Sequence, residues 1–220
     1  MKKLILLIPY LFANTLFAQI INVEDKRVRL GDTTALKGFV DMGFNIVQND
    51  RMLLTTRVST QLEKIKIRHF FLFLGGYNLV KAEDQNFLND GFLHFRYNYD
   101  VRKTWVYEAF IQSQYNQRTR ILFRGLLGSG VRTKLKFGEN NKYRFYFGAS
   151  YMLEHNQFNG LSKKLYEHRL SSYVSYNLSF SEKARLHHTT YYQPKLTDFT
   201  RHRISSEASL VLNIHKYLKA

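Results

Sequence analysis

The chain has 220 residues and a formal net charge of +16, and it contains 15 Tyr and 18 Phe but only 2 Pro and no Cys. The length allows one sizeable domain, and the missing cysteine excludes disulfides and a lipid-modified cysteine. A soluble protein this basic would suggest nucleic acid as its partner. The first residues argue against that partner because they indicate export.

The N-terminus has the pattern of a secretory signal peptide. Residues 1–3 carry two lysines, residues 4–12 are mostly apolar, and Ala18 precedes a polar residue. A basic start, a short apolar run and a small residue before the cleavage point are typical of such signals. We expect residues 1–18 to be removed and residues 19–220 to form one domain. The alternative of a retained anchor is disfavoured because a proline and polar residues interrupt the run, whereas a membrane span needs roughly 18 continuous apolar residues.

Apolar and polar residues alternate with a period of two along nearly the whole remaining chain, which predicts β-strands with one apolar and one polar face. The predicted strands, in chain order, lie near Leu36–Ile46, Met52–Leu62, Ile65–Phe73, Leu93–Val101, Trp105–Gln114, Ile121–Leu135, Tyr143–Glu154, Leu170–Phe180, Ala184–Tyr192 and Ile204–Ile214. The pattern therefore predicts an all-β fold with ten strands.

The length of these strands favours a transmembrane, antiparallel, up-and-down β-barrel with its apolar face toward lipid, since a barrel strand crosses a membrane in roughly 9 to 11 residues. A soluble sandwich would bury the aromatic face instead. Aromatic residues flank the predicted turn at Asp100–Thr104, as an interfacial belt requires. Tyr97, Tyr99, Trp105 and Tyr107 form this group. The sequence thus predicts a protein of the cell outer membrane.

The predicted connections alternate in length, which also favours this topology. Short turns are expected on the periplasmic side, near 63–64, 101–104, 138–142, 181–183 and 215–216. Longer polar loops are expected outside, at Asn78–Asp90, Asn156–Lys164 and Pro194–Thr200, while the links at 48–51 and 116–118 are short exceptions. Residues Tyr217–Ala220 have the pattern of a beginning strand. Either ten strands close the barrel, or a further hairpin follows.

Three predicted strands carry a resemblance to a known family. They are Tyr107–Gln112, Arg120–Arg132 with the sequence RILFRGLLGSGVR, and Gly148–Glu154 with the sequence GASYMLE. Together these segments resemble the salt-induced outer-membrane proteins, which carry the domain of unknown function 481. The resemblance implies an outer-membrane barrel with about two more strands, hence twelve in a complete chain. It implies no established reaction and no catalytic residues.

The polar positions of the same three strands share one parity and are expected to point into the barrel lumen. The candidate site residues are Glu108, Gln112, Arg124, Arg132 and Glu154. Counting from the turns places Arg124 near Glu154, and Glu108 within a diagonal step of Arg132. Gly128 and Gly130 would leave room for the long guanidinium side chains.

Two interpretations of this lumen charge network remain open. Small barrels fill their interiors with side chains, and buried charges must be paired, which favours a closed, salt-bridged lumen. The alternative is a narrow constriction selective for small anions. Further arginines at inward positions support the second interpretation, namely Arg57, Arg96, Arg120, Arg144, Arg169 and Arg185.

An enzyme is the competing class. The candidate groups are His155 beside Glu154, and the run His187-His188-Thr189, but no serine stands beside them in a recognisable motif and His188 has the lipid-facing parity. A lipid-modifying hydrolase is therefore the third hypothesis, and the chain is expected not to be an enzyme. No spacing indicates a metal site, a nucleotide loop or a cofactor, and residues 19–33 are too few for a plug domain.

The sequence therefore predicts an outer-membrane barrel without cofactor, acting as a narrow, anion-preferring channel or as a stress-related envelope component. The first alternative is a purely structural barrel with a closed lumen. The expected partners of the protein are outer-membrane lipid and lipopolysaccharide, the barrel-assembly machinery and, if it is a channel, small anions. Removal of the two N-terminal lysines leaves a net charge near +14 (31 basic minus 17 acidic residues), which suits anionic headgroups.

Overall fold

The computed structural model describes residues 23–24, 35–83, 85–137, 142–160, 164–181 and 183–212. These residues form ten strands. The strands are β1 Ala35–Gln48, β2 Met52–Lys66, β3 His69–Ala82, β4 Gln85–Asp100, β5 Trp105–Asn116, β6 Ile121–Phe137, β7 Tyr143–Phe158, β8 Leu165–Ser179, β9 Ala184–Lys195 and β10 Asp198–Leu212. Across the described ranges, no helix has the length and hydropathy that a membrane span requires.

The ten strands form a single sheet in which every strand pairs antiparallel with its neighbours in the chain. The predicted all-β, up-and-down topology with ten strands is therefore confirmed. The sheet is not closed: no pairing joins β1 to β10 in the part of the chain that the structure describes. The predicted signal peptide and Tyr217–Ala220 lie outside the described residues, so the cleavage point, the domain boundary and a count of twelve strands stay predictions.

The turn between β2 and β3 lies later than predicted. It consists of Ile67 and Arg68 rather than residues 63–64, and Ile67 has a φ of 53°. Arg68 holds the neighbouring β4–β5 turn, because its Nε donates to the carbonyl oxygen of Asp100 at 2.7 Å. Since a strand's faces alternate, the displaced turn leaves Ile65 on the inner face of β2, where it is buried, and not on the outer face as predicted.

Two of the three predicted long loops are wrong, whereas at the third, Asn156–Lys164, six residues separate β7 from β8. The expected long loop at Asn78–Asp90 is a tight hairpin, because β3 runs to Ala82 and β4 begins at Gln85. The expected loop at Pro194–Thr200 is equally short, since only residues 196–197 separate β9 from β10. The polar residues at these two positions lie mostly within strands β3, β4, β9 and β10. Loop length therefore does not tell the two ends of this sheet apart.

Burial along the strands is the reverse of that in a soluble sheet protein. On β5, the inward residues Val106, Glu108 and Gln112 are buried, whereas Tyr107 and Ile111 between them are exposed. The outer face is apolar on the other strands too. Its large exposed side chains include Met42, Phe44, Leu93, Phe95, Trp105, Leu127, Val131, Phe147, Tyr151, Val174, Ile204 and Leu210. The buried charged side chains on the strands thus lie on the enclosed face, and most of the large exposed apolar side chains lie on the open one.

One part of the inner face is apolar. Phe70, Leu72 and Leu74 of β3 are buried together with Ile65 of β2. Val23, which precedes the first strand, is 3% exposed and completes this cluster. Val23 and the neighbouring Glu24, which is also buried, therefore lie in the space that the curled sheet encloses.

Glycines on the inner face make room for large rings on the adjacent strand. A β-carbon at Gly148 would lie 2.2 Å from the Tyr173 ring, and one at Gly128 would lie 2.2 Å from the Phe110 ring. Both glycines stand directly opposite these aromatics in the pairing register. The rings therefore lie flat across the neighbouring strand, which lets bulky side chains fit inside a strongly curved sheet.

We predict that Gly148→Ala destabilises the fold by about 1–3 kcal/mol, because the added methyl group overlaps the Tyr173 ring and forces it to move. The measurement is the midpoint of urea unfolding. Gly43→Ala is the matched control, since a β-carbon there would meet only Arg57, at 4.0 Å. Equal midpoints for the two variants would contradict the proposed packing.

Candidate functional site

The most deeply buried charge of the inner face is Glu154 on β7, whose side chain is fully enclosed. Three arginines from three strands surround it. Arg124 Nε lies 3.1 Å from one carboxylate oxygen, Arg169 Nε lies 3.0 Å from the other, and Arg203 Nη1 donates to both at 2.9 and 2.7 Å. Charge-assisted bonds of this length are among the strongest that side chains make. This group is called the Glu154 cluster below.

Neighbouring polar groups complete the Glu154 cluster. Asn156 donates to Glu154 at 2.7 Å and accepts from Arg124 Nε at 2.7 Å. Glu167 accepts from Arg169 at 2.6 Å, and Lys195 lies 3.4 Å from the same carboxylate. Four cations and two carboxylates therefore meet at strands β6 to β10, so this cluster has an excess of positive charge.

A second buried cluster lies on β4, β5 and β6. Arg96 and Arg132 both face Glu108, at 3.9 Å and 3.4 Å between the nearest ionic atoms. Tyr173, on β8, donates its hydroxyl proton to Glu108 at 2.9 Å and thus connects opposite sides of the curled sheet. Glu24, from the segment before β1, binds both arginines. This group is called the Glu24 cluster below.

Glu24 bridges the two arginines with its two carboxylate oxygens. Oε1 accepts from Arg96 Nη1 at 2.7 Å, and Oε2 accepts from Arg132 Nη1 at 3.2 Å. The exposed fraction of each of the three side chains is 6% or less. Each arginine also lies over an aromatic ring, Arg96 over Phe110 and Arg132 over Tyr146, at 5.4 and 5.1 Å. The aromatic packing fixes the guanidinium groups in the positions that receive the carboxylate.

Two glutamines and one histidine lie between the two clusters. His94 Nδ1 lies 2.9 Å from Gln112 Oε1, and Gln112 donates to Gln114 at 2.7 Å. A cavity of about 40 Å³ remains here, lined in part by Arg96, Arg124 and Val23. This volume suits a few ordered water molecules rather than a stream of hydrated ions.

The structure places all the sequence-predicted site residues on the inner face, and all are buried. They are Glu108, Gln112, Arg124, Arg132 and Glu154. It divides them among the groups just described: Arg124 contacts Glu154, Arg132 contacts Glu108, and Gln112 contacts His94. Because Gly128 and Gly130 lack a β-carbon, they do leave room, but for the Phe110 ring and for the backbone of β7 rather than for guanidinium groups.

The additional arginines predicted at inward positions have different environments. Arg96 and Arg169 are buried. Arg96 belongs to the Glu24 cluster, and Arg169 belongs to the Glu154 cluster. Arg57, Arg144 and Arg185 are exposed, and Arg120 belongs to the β5–β6 turn with a φ of 57°. Sequence reasoning missed Arg203, although it alternates with the outward Ile204 and could have been found by that parity. Glu24 has no periodic pattern around it, so no sequence signal indicated its place.

The histidines considered as catalytic candidates make ordinary polar contacts. On the inner face, His187 lies 2.6 Å from Asn177 Oδ1 and 3.3 Å from Thr189, whose hydroxyl donates to Ser175 at 2.9 Å. On the outer face, His188 Nε2 lies 3.0 Å from the Ser206 hydroxyl. The His188 Nδ1 atom is buried and has no hydrogen-bond partner among the described residues. Among those residues, the Ser206–His188 pair therefore lacks the third group that orients the histidine of a catalytic triad. His155 stacks on Tyr166 with ring centroids 4.6 Å apart.

The fold and the interior together define a class of protein: a ten-stranded, up-and-down antiparallel sheet that curls around a charged, side-chain-filled interior. A family model described as protein of unknown function, DUF481, matches residues 40–220, and the chain belongs to this family. The resemblance seen in the sequence is confirmed to that extent, while the association with salt induction stays a prediction.

Other comparisons add little. No curated protein matches the chain. A crystal structure of the ferric citrate transporter FecA in the unliganded form is similar with 10% sequence identity and a TM-score of 0.23. The match covers 84% of this chain and 40% of that transporter, so this chain spans less than half of the transporter's length.

We predict that Glu154→Gln lowers the free energy of unfolding by about 3–5 kcal/mol, because it leaves the buried Arg124 and Arg169 and the partly buried Arg203 without their shared counter-charge. The measurement is again urea unfolding. The control is Glu83→Gln, which removes an exposed pair with Arg51 at 3.4 Å and should cost less than about 1 kcal/mol. A Glu154→Gln protein as stable as this control would show that the cluster does not stabilise the fold.

Proposed function

We propose that this protein is a β-barrel of the bacterial outer membrane whose interior is held closed by paired charges, and that it serves as a structural component of the envelope. The observation that carries the proposal is the reversed burial, with an apolar outer face and buried ion pairs inside. Water disfavours so large an exposed apolar surface. A hydrocarbon environment favours it.

The aromatic residues support the same location. Trp105, at the start of β5, is 49% exposed, and Tyr107 beside it is 38% exposed. Tyr97 and Tyr99 lie on the same outer face at the end of β4. Amphipathic rings grouped at strand ends suit the headgroup level of a bilayer. Outer-membrane lipid, lipopolysaccharide and the barrel-assembly machinery are the partners that this proposal implies.

The contents of the interior favour a closed barrel over an open channel. The Glu24 and Glu154 clusters lie among buried amides, and the space between them is a cavity of about 40 Å³. The inner-face His187 and Thr189 contact Asn177 and Ser175 as in a polar packing network, and the proposed structural role involves no catalytic step.

A narrow, anion-preferring channel is the second candidate. The observation in its favour is the excess of cations around Glu154, where Arg124, Arg169, Arg203 and Lys195 face only two carboxylates. Such an excess would attract anions if the interior opened. The two candidates differ in one measurable property, the conductance of the resting protein.

We predict that Leu127→Arg impairs insertion into lipid vesicles, because it places a charge in the middle of the outer face of β6, at a side chain that is 57% exposed. A charge at the bilayer centre costs about 2–4 kcal/mol in a barrel. The control is Asn159→Arg in the β7–β8 connection, which should insert normally. Insertion is measured by protease protection and by the emission of Trp105. Equal insertion of both variants, or a native protein that stays folded and monomeric without detergent, would contradict the membrane proposal.

We predict that the reconstituted native protein produces no sustained current across planar bilayers, since paired side chains fill its interior. The recording is made with a known porin as positive control and with salts of different anions. Stable, anion-selective current steps from the native protein would reject the closed barrel and favour the channel.

A further inference from the structure

Glu24 differs from the other members of the buried clusters because it is not part of the sheet. Arg96, Arg132, Glu108 and Tyr173 are fixed on strands β4, β6, β5 and β8. Glu24 belongs to the segment before β1 and reaches the interior together with Val23, which packs against Phe70 and Leu72. The Glu24 carboxylate therefore enters a site that strand residues form without it. This site, made by Arg96, Arg132 and Glu108, is called the cradle below.

The cradle has the charge of an anion-binding site. Among the described strand residues, two guanidinium groups, Arg96 and Arg132, face one carboxylate, Glu108, and these three groups together carry one positive charge in excess. A buried charge without a partner is strongly unfavourable. One further carboxylate neutralises the group, and Glu24 supplies it.

The geometry of the cradle matches a carboxylate. The two guanidinium groups come from different strands and each donates to a different oxygen of the same carboxylate, at 2.7 and 3.2 Å. Arg96 has a further donor available, because its buried Nε has no hydrogen-bond acceptor among the described residues. The cavity of about 40 Å³ beside Val23, Arg96 and Tyr191 adds a little space next to the carboxylate.

We propose that Arg96 and Arg132 form a binding site for a small organic carboxylate, and that Glu24 occupies this site as a ligand tethered to the chain. A free carboxylate then competes with Glu24 for the same two guanidinium groups. Its binding releases the Val23–Glu24 segment from the interior while the sheet stays folded. The site goes beyond the structural role proposed above and does not depend on the membrane location.

The absence of cysteine from the chain permits a direct test. Val23→Cys introduces a single thiol at a position that is 3% exposed, and its rate of reaction with a maleimide in the folded protein reports release of the segment. Two further single-cysteine variants serve as controls. Ser175→Cys, 1% exposed on β8, reports opening of the sheet, and Asp50→Cys in the exposed β1–β2 turn reports the intrinsic reactivity.

The probe is sodium acetate, compared with sodium chloride at equal ionic strength and with acetamide as a neutral molecule of the same shape. A tethered group acts at an effective concentration on the order of millimolar, so acetate is used well above that range. We expect acetate to raise the labelling rate of Val23→Cys severalfold, with saturation, and to leave Ser175→Cys and Asp50→Cys unchanged. Chloride and acetamide should have no such effect.

A second variant isolates the part played by Glu24. Adding Glu24→Gln to Val23→Cys removes the charge but keeps the shape, and should raise labelling by roughly tenfold even without acetate, as expected for loss of a charge-assisted bond. Equal labelling of Val23→Cys in acetate and chloride would overturn the proposal. An acetate effect shared by Ser175→Cys would overturn it too, because the sheet itself would then be opening.

Discussion

A charge removed from water needs an opposite charge or several hydrogen bonds, and the inside of this sheet is organised by that requirement. Glu154 is fully enclosed and receives three arginines from β6, β8 and β10. Glu108 receives two arginines and a tyrosine hydroxyl from the far side of the sheet. Two of these contacts, Arg203 with Glu154 and Tyr173 with Glu108, connect strands that are not neighbours. They therefore hold the curvature that hydrogen bonding between adjacent strands alone does not fix.

The glycines of the inner face follow from the same curvature. Large rings must lie flat where the interior is narrow, and Gly128 and Gly148 give them the space to do so. Tyr173 shows the connection most clearly, since it crosses Gly148 on the neighbouring strand and delivers its hydroxyl to Glu108 on β5. Packing and electrostatics are therefore coupled in a single side chain.

The periodic features could be predicted from the sequence, and the aperiodic ones could not. Alternation gave the ten strands and the parity of Glu108, Arg124 and Glu154, because a two-residue period reflects directly which side is enclosed. The turn at Ile67–Arg68 was misplaced, since it contains no glycine, asparagine or proline, the usual turn residues. The ion pair between Arg203 on β10 and Glu154 on β7 depends on how far the sheet curls, and so does the position of Glu24. The alternation of apolar and polar residues does not encode that curvature.

The position of the single tryptophan has a spectroscopic consequence. Trp105 begins β5 beside the short turn that follows Asp100, and its ring is half exposed on the outer face. Tryptophan emission from the whole protein therefore originates from one known position in the sheet. Under the proposed membrane location, quenchers attached at graded positions along an acyl chain would locate that ring along the bilayer normal, and with it the height of every residue paired across β4 and β6.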